Sequence, residues 1–133
     1  MASRGRKIVL ANQKPTVQEL DELCREIVRL RDRGKCRKCG SGKQFQVAHI
    51  FSRSRRSVRF DLDNLIGLCF RHHFYWAHRS PIEFTEWTRK EVGEKEFADL
   101  RMRAYGVSKV DLSAVKIYLL NERNKYAKDK KEG

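Results

Sequence analysis

Four side chains constrain this chain more than any other feature. Cys36 and Cys39 form a C-x2-C in the stretch KCRKCGSG, 29 residues follow, and Cys69 and His72 then form a C-x2-H. Three thiols and one imidazole have the number and softness of a tetrahedral zinc set, and two such knuckles far apart in sequence can staple a small fold around one ion. The alternative is two buried cysteines and an incidental pair. In a reducing compartment, cysteines in this pattern are ligands or buried thiols rather than disulfides. Cys24 stands apart, next to the apolar stripe of a helix, and is expected to be a buried structural thiol.

The 133 residues carry 30 Lys and Arg against 17 Asp and Glu, a net charge of +13. That length suits one domain and excludes the deep core of a Rossmann or barrel enzyme. An aromatic content of 10% and clear helical periodicity argue against a disordered chain. No apolar run approaches the ~20 residues that cross a bilayer. The apolar run Ile8–Leu10 is too short for a secretory signal, so a cytoplasmic protein with no membrane partner is expected. A charge of this size points to a polyanion, nucleic acid before an anionic membrane surface.

Along the chain, residues 1–15 hold Arg4, Arg6, Lys7 and Lys14 and no acid, a flexible basic arm that is either solvated or in contact with phosphate. Thr16 and Glu19 form a T-x-x-E capping box, and Val17, Leu20, Leu23, Ile27 and Leu30 recur at helical spacing until Gly34, predicting a helix over 17–33. Residues 35–43 read as a tight knuckle and 45–51 as a strand. Residues 52–60, with Arg53, Arg55, Arg56 and Arg59 and no acid, read as an exposed loop, since such charge is not buried unpaired. A turn at 61–64, a strand at Leu65–Leu68 and an aromatic-rich helix from Phe70 to Ala77 follow. Ser80, Pro81 and Glu83 open another helix anchored by Ile82, Phe84 and Trp87, ending at Gly93. Residues 94–105, with Phe97, Leu100 and Tyr105, continue helically. Asp111 caps a last helix that buries Val115 and Leu119, with Tyr118 a further candidate, and the polar residues 127–133 are expected to fray. The reading is an α+β fold: one domain over 16–126, a strand–loop–strand–helix core at 36–80, and helical flanks at 16–34 and 81–126.

The core also concentrates side chains suited to phosphodiester hydrolysis. That reaction needs a base to activate water and a cation to stabilise charge on phosphorus and on the departing oxygen. His49 can serve as the base. His73, as neutral imidazole, can hold a divalent cation; because it follows His72 directly, the two rings point different ways on a helix and take separate tasks. Asn64 can ligate a cation or fix an imidazole through its amide, or can simply shape a turn. His78 is either a further ligand or a helix-end residue complementing the dipole.

The pattern C-x2-C, Ala48-His49-Ile50, Asp63-Asn64-Leu65 and Leu68-Cys69-x2-His72-His73 resembles the HNH endonuclease family. The stretch Arg59-Phe60-Asp61 to Asn64, with Phe84, Trp87, Gly93 and Leu100, is also similar to small phage HNH proteins of the NinG/Rap recombination type. The resemblance implies a ββα-metal motif stapled by a structural Zn²⁺ on Cys36, Cys39, Cys69 and His72. It makes His49 the general base, Asn64 the middle position and His73 the helix ligand. Two positions depart from the pattern. Members of the family usually carry Asp or His just before the catalytic histidine, where this chain has Ala48, so another residue must supply that ligand, with His78 the candidate. NinG-like proteins generally have C-x-x-C-Asn where this chain has Cys69-x2-His72-His73.

The resulting expectation is a DNA endonuclease that uses Mg²⁺, Mn²⁺ or another divalent cation on His73, His78 and Asn64. Arg53, Arg55, Arg56 and Arg59 contact DNA phosphates. A monomer would nick one strand; a double-strand break needs a homodimer or two visits. The competing class is a non-catalytic zinc-stabilised DNA-binding module, which explains the charge and the cysteines but not His49, Asn64 and His73.

Overall fold

The computed structural model describes residues 14–106 and 109–132, with side chains to 129. All but the last two residues of the expected basic arm lie outside them. Helix α1 (Val17–Arg31) starts at Thr16, whose hydroxyl accepts the Glu19 N–H at 3.1 Å. It stops at a paired turn in which the N–H groups of Arg33 and Gly34 reach back to Leu30 O and Arg29 O at 3.4 and 2.9 Å. Strand β1 (Gln46–His49) pairs antiparallel with β2 (Leu65–Leu68), so that Val47 faces Gly67 and His49 faces Leu65.

The connection between the strands is not a plain loop. Arg56–Arg59 forms one short helical turn, α2, and Leu62–Asn64 a 3₁₀ turn capped by the Asp61 carboxylate. Val58 drives this: it is fully buried against Leu100 and Ala104, which turns Arg53, Arg55 and Arg56 outward. Arg59 departs from the exposed-loop expectation. It is half-buried and pairs through two nitrogens with the Asp21 carboxylate of α1 at 2.7 and 3.1 Å.

Helix α3 (Arg71–Ala77) is wound wider than an α-helix, with His78 N–H reaching His73 O five residues back. Then come α4 (Pro81–Val92), α5 (Glu94–Tyr105) and α6 (Leu112–Glu132). Pro81 opens α4, though the Ser80 side chain makes no cap bond, and Asp111 caps α6 by accepting from Ser113 and Ala114. The last helix runs on to Glu132, past Tyr126, where fraying is expected from the sequence. The fold is thus α+β, a two-stranded antiparallel sheet among helices.

The interior is divided into three small clusters. One joins α1 to α6 and the sheet through Leu20, Ile27, Val28, Phe60, Leu65 and Leu119. Cys24 lies in it, its thiol beside Phe60 O and its pKa pushed up to about 12 by burial, which is the buried structural thiol expected. A second holds Cys36, Ala48, Ile66, Leu68, Cys69 and Phe84 under α3 and α4. The third is the Val58 cluster. Ile82, Tyr105 and Tyr118, expected as apolar anchors, are instead exposed, while Phe84, Phe97 and Leu100 are buried.

Asp32 joins the first two clusters. Its carboxylate, 1% exposed, pairs with Arg31 at 2.9 Å and Arg37 at 3.3 Å and accepts the Gly67 N–H at 2.9 Å. Arg31 continues to the carbonyls of Leu62 and Leu65. Gly67 has no room for a side chain, since a Cβ there would lie 2.3 Å from the Phe45 ring and 2.9 Å from Asp32 Oδ2.

Candidate metal centre and histidine cleft

The two knuckles meet. The ligand atoms of Cys36, Cys39, Cys69 and His72 all lie within 4.8 Å of one another. Cys39 Sγ is 3.8 Å from Cys69 Sγ, and His72 Nδ1 is 3.7 Å from Cys36 Sγ and 3.3 Å from Cys69 Sγ. A tetrahedral ion with ~2.3 Å Zn–S and ~2.0 Å Zn–N bonds requires S···S edges near 3.8 Å and S···N edges near 3.5 Å. The donor set therefore fits a metal ion of zinc's size and preference.

The first knuckle is shaped by its backbone. Gly40 donates to Cys36 O at 2.7 Å with φ +80°, and Cys36 donates to Ser41 O at 2.8 Å. Burial opposes ionisation of Cys36, but N–H groups of Cys69, Cys39 and Lys38 converge on its sulfur and hold its pKa below the ordinary thiol value. Cys69 is shifted up by burial, and the neighbouring thiols reinforce this. Between the first two cysteines, Lys38 lays its ammonium over Trp76 at 4.7 Å and Trp87 at 5.5 Å. A cation–π clasp therefore fastens the knuckle to α3 and α4.

On the other side of α3, two adjoining cavities of about 450 and about 390 Å³ share His49, Arg53, His73 and His78 in their walls. His49 stands at the end of β1 with Nε2 3.2 Å from Arg59 O. A carbonyl only accepts, so Nε2 carries the proton and Nδ1 keeps its lone pair. Burial lowers the His49 pKa to about 4, against the opposing pull of the Arg59 carbonyl, and the ring is neutral at pH 7. The carbonyl that orients His49 belongs to the arginine tied down by Asp21, which also lines the cleft.

His73 is held from the sheet. Its Nδ1 donates to Gln46 Oε1 at 2.7 Å, which leaves Nε2 unprotonated. Burial first, then His78 and Arg53, lower its pKa. The His78 ring lies 4.6 Å from that of His73. On a regular α-helix residues five apart sit about 140° around the axis; the wide winding of α3 brings these two to one side.

Asn64 lies elsewhere than the expectation of a cation ligand would have it. It is fully buried and absent from the cleft walls. Its Oδ1 accepts from Phe51 N–H at 2.7 Å, and its amide donates to Phe51 O at 3.0 Å and Val58 O at 3.1 Å. Both amide donors and one acceptor site go into bracing the segment from Phe51 to Val58, which includes Arg53. No imidazole bonds to it, so of the three expected roles its contacts are those of a residue that shapes the chain locally.

Of the site residues expected from the sequence, His49, His73, His78 and Arg53 lie together in the cleft walls. Arg55 and Arg56, grouped with Arg53 from the sequence, lie outside those walls, and Gln46, Asp21 and Asp32 carry no local signal that singles them out. Gln46 is one strand residue among many polar ones, and only the pairing of β1 with α3 singles it out. Ala48 is buried in the second cluster and offers nothing to a metal. Among the described residues, the Cys36 group is the one set of three or more His, Cys, Asp or Glu within ligating distance, so the cleft offers a cation two imidazoles and no free carboxylate.

Residues 33–82 contain eleven Lys and Arg and two acids, Asp61 and Asp63. Both acids are paired with Arg103, at 2.8 and 3.1 Å. The cleft walls carry Arg25 and Arg53, and their one carboxylate, Asp21, is paired with Arg59. No helix among the described residues is long and apolar enough to cross a membrane. No family model, curated protein or solved structure matches this chain.

Proposed function

We propose that this protein is a metal-dependent DNA endonuclease of the HNH type, with a structural zinc at Cys36, Cys39, Cys69 and His72 and a ββα-metal site at the cleft. One observation carries the reading: His49 and His73 line the same cleft, each with one ring nitrogen tied to the protein and the other left as a lone pair. A base and a cation ligand facing one open space are what phosphodiester hydrolysis requires.

His49 Nδ1 takes the proton of the attacking water, while the Arg59 carbonyl steadies the positive ring that results. His73 Nε2 and His78 supply nitrogen ligands to a divalent ion, which when bound would neutralise the scissile phosphate and the leaving oxygen. Two imidazoles without a free carboxylate suit later transition ions better than Mg²⁺. Asn64 acts through the loop it braces. Arg53, Arg55 and Arg56 face solvent beside the cleft and bind flanking phosphates, whereas Arg59 is occupied with Asp21.

The missing third side-chain ligand favours the second reading, a zinc-stabilised DNA-binding module without catalysis. Plasmid nicking separates the two. Wild type is expected to nick supercoiled DNA when Mn²⁺, Ni²⁺ or Mg²⁺ is added, and His49→Ala to lose nicking while DNA affinity stays within a few fold. Tight DNA binding by wild type with no nicking under any of these ions would leave the module.

A further inference from the structure

Helix α3 presents a second feature on the same face as the histidines. Phe74 and Tyr75 are 44% and 51% exposed. Phe70 stacks behind Phe74 with centroids 5.4 Å apart and planes 9° apart, and meets Tyr75 edge-on at 5.9 Å. Arg79 lies over the Tyr75 ring at 4.9 Å. The Phe74 ring is 6.3 Å from that of His78, which adjoins His73. Soluble proteins seldom leave contiguous aromatic rings in water without a partner. Here they are braced by one another rather than loose, Phe74 adjoins the cleft through His78, and residues 64–82 contain no acid.

The Tyr75 ring stands edge-on to Phe74, centroids 5.1 Å apart and planes at 79°, and we propose that the Phe74 ring, backed by Phe70 and walled by Tyr75, is a stacking platform for an unpaired base of DNA flanking the scissile phosphate. Rings that only packed against protein would not need a cationic rim. A base attached to a phosphate backbone satisfies both, because it offers a π-face to the rings and a negative charge to Arg79 and Arg53. The preferred substrate is then DNA with a nucleotide out of the stack beside the cut, rather than continuous duplex. This rests on the nuclease reading for its placement, but not for its test.

The test is binding without added catalytic cation. The probes are a short DNA duplex and the same duplex carrying one unpaired fluorescent purine analogue. Wild type is expected to bind the unpaired probe at least about tenfold more tightly and to quench its fluorescence. Phe74→Ala should lose most of that preference and the quench, and Tyr75→Ala a smaller part of both, with duplex affinity little changed. Tyr75→Trp should keep both, which guards against a variant that merely misfolds. Equal wild-type affinity for the two probes, or an equal loss on both in the alanine variants, overturns the platform. So does self-association that the alanine variants abolish while probe binding is unchanged, which makes the patch a protein contact. If wild type discriminates against neither probe yet nicks plasmid, the platform alone fails. If it binds neither, the nuclease reading fails with it.

Discussion

Asn64→Asp sets two roles for one residue against each other. The substitution keeps size and shape. It retains an acceptor for Phe51 N–H but leaves at most one O–H in place of the two amide donations, to Phe51 O at 3.0 Å and Val58 O at 3.1 Å. It also places a carboxyl at a position with no exposure, with carbonyl oxygens as neighbours. Keeping that carboxyl neutral at pH 7 costs about 4 kcal/mol, from roughly three pH units at 1.36 kcal/mol each. One lost hydrogen bond adds about 1 kcal/mol, the other being replaced by the carboxyl O–H. A loss of about 5 kcal/mol is expected. With an unfolding entropy of about 2.1 cal/mol/K per residue, that lowers Tm by roughly 15–20 °C in a chain of 133 residues. The sign with pH follows. The introduced carboxyl has a folded pKa above its unfolded value of about 3.9, so the penalty grows as pH rises above that value. The gap to wild type should therefore shrink by about 2.7 kcal/mol between pH 7 and pH 5. Urea unfolding at several pH values, with and without Mn²⁺, reads all of this. A carboxylate is also a better cation ligand than an amide. A variant that unfolds like wild type and binds Mn²⁺ more tightly would refute the bracing role and restore Asn64 to the cation.

Gly67→Ala drives a methyl into the Phe45 ring and the Asp32 carboxylate; a loss of about 1–3 kcal/mol is expected in urea unfolding, and wild-type stability would mean that the sheet and α1 are not locked at this point. Cys36→Ser should lower zinc content and Tm together, read by elemental analysis and thermal melts; unchanged zinc stoichiometry removes Cys36 from the ligand set. His49 has a pKa lowered to about 4, so its contribution to stability is whole above the unfolded value near 6.5 and falls as pH drops from there towards 4. Nicking limited by this base should be flat above about pH 5.5, and a His49-dependent rise centred near 7 would contradict the buried neutral ring. Replacing Arg53, Arg55 or Arg56 by Ala should each make the log–log salt slope of DNA binding shallower by about 1. Arg59→Ala should mainly destabilise the fold through loss of the Asp21 pair; a normal Tm with a changed slope would return it to the phosphate contacts.

Local signals were readable and tertiary ones were not. Thr16 and Glu19 place the start of α1 because a cap is a contact three residues long, and Cys36, Cys39, Cys69 and His72 declare themselves because ligand chemistry admits few residue types. The apolar run Leu65–Leu68 is a strand as its composition suggests. By contrast, the capture of Arg59 by Asp21 spans 38 positions, and no local pattern distinguishes Arg59 from Arg55 or Arg56. Gln46 steadies His73 only because β1 lies against α3. His78 reaches His73 only through a wide helical winding, which helical spacing misreads as opposite faces. Asn64 is legible as a constrained position but not as to which constraint, since a turn, a ligand and a brace all suit its amide.

Strand β2 is four residues long, with the brace Asn64 at one end and the thiol Cys69 at the other. Beyond it, neighbouring residues His72 and His73 serve opposite sides of one short helix. Between Asn64 and His78 the chain therefore tolerates no change of length. One residue gained or lost in the strand would exchange its two faces, and one in the helix would swing either the sulfur-facing ring or the cleft-facing ring away from its partners. Insertions have room at the outward tip around Arg53–Arg55, whose residues are exposed, so relatives that vary in length there can share this centre, while those that vary within 64–78 cannot.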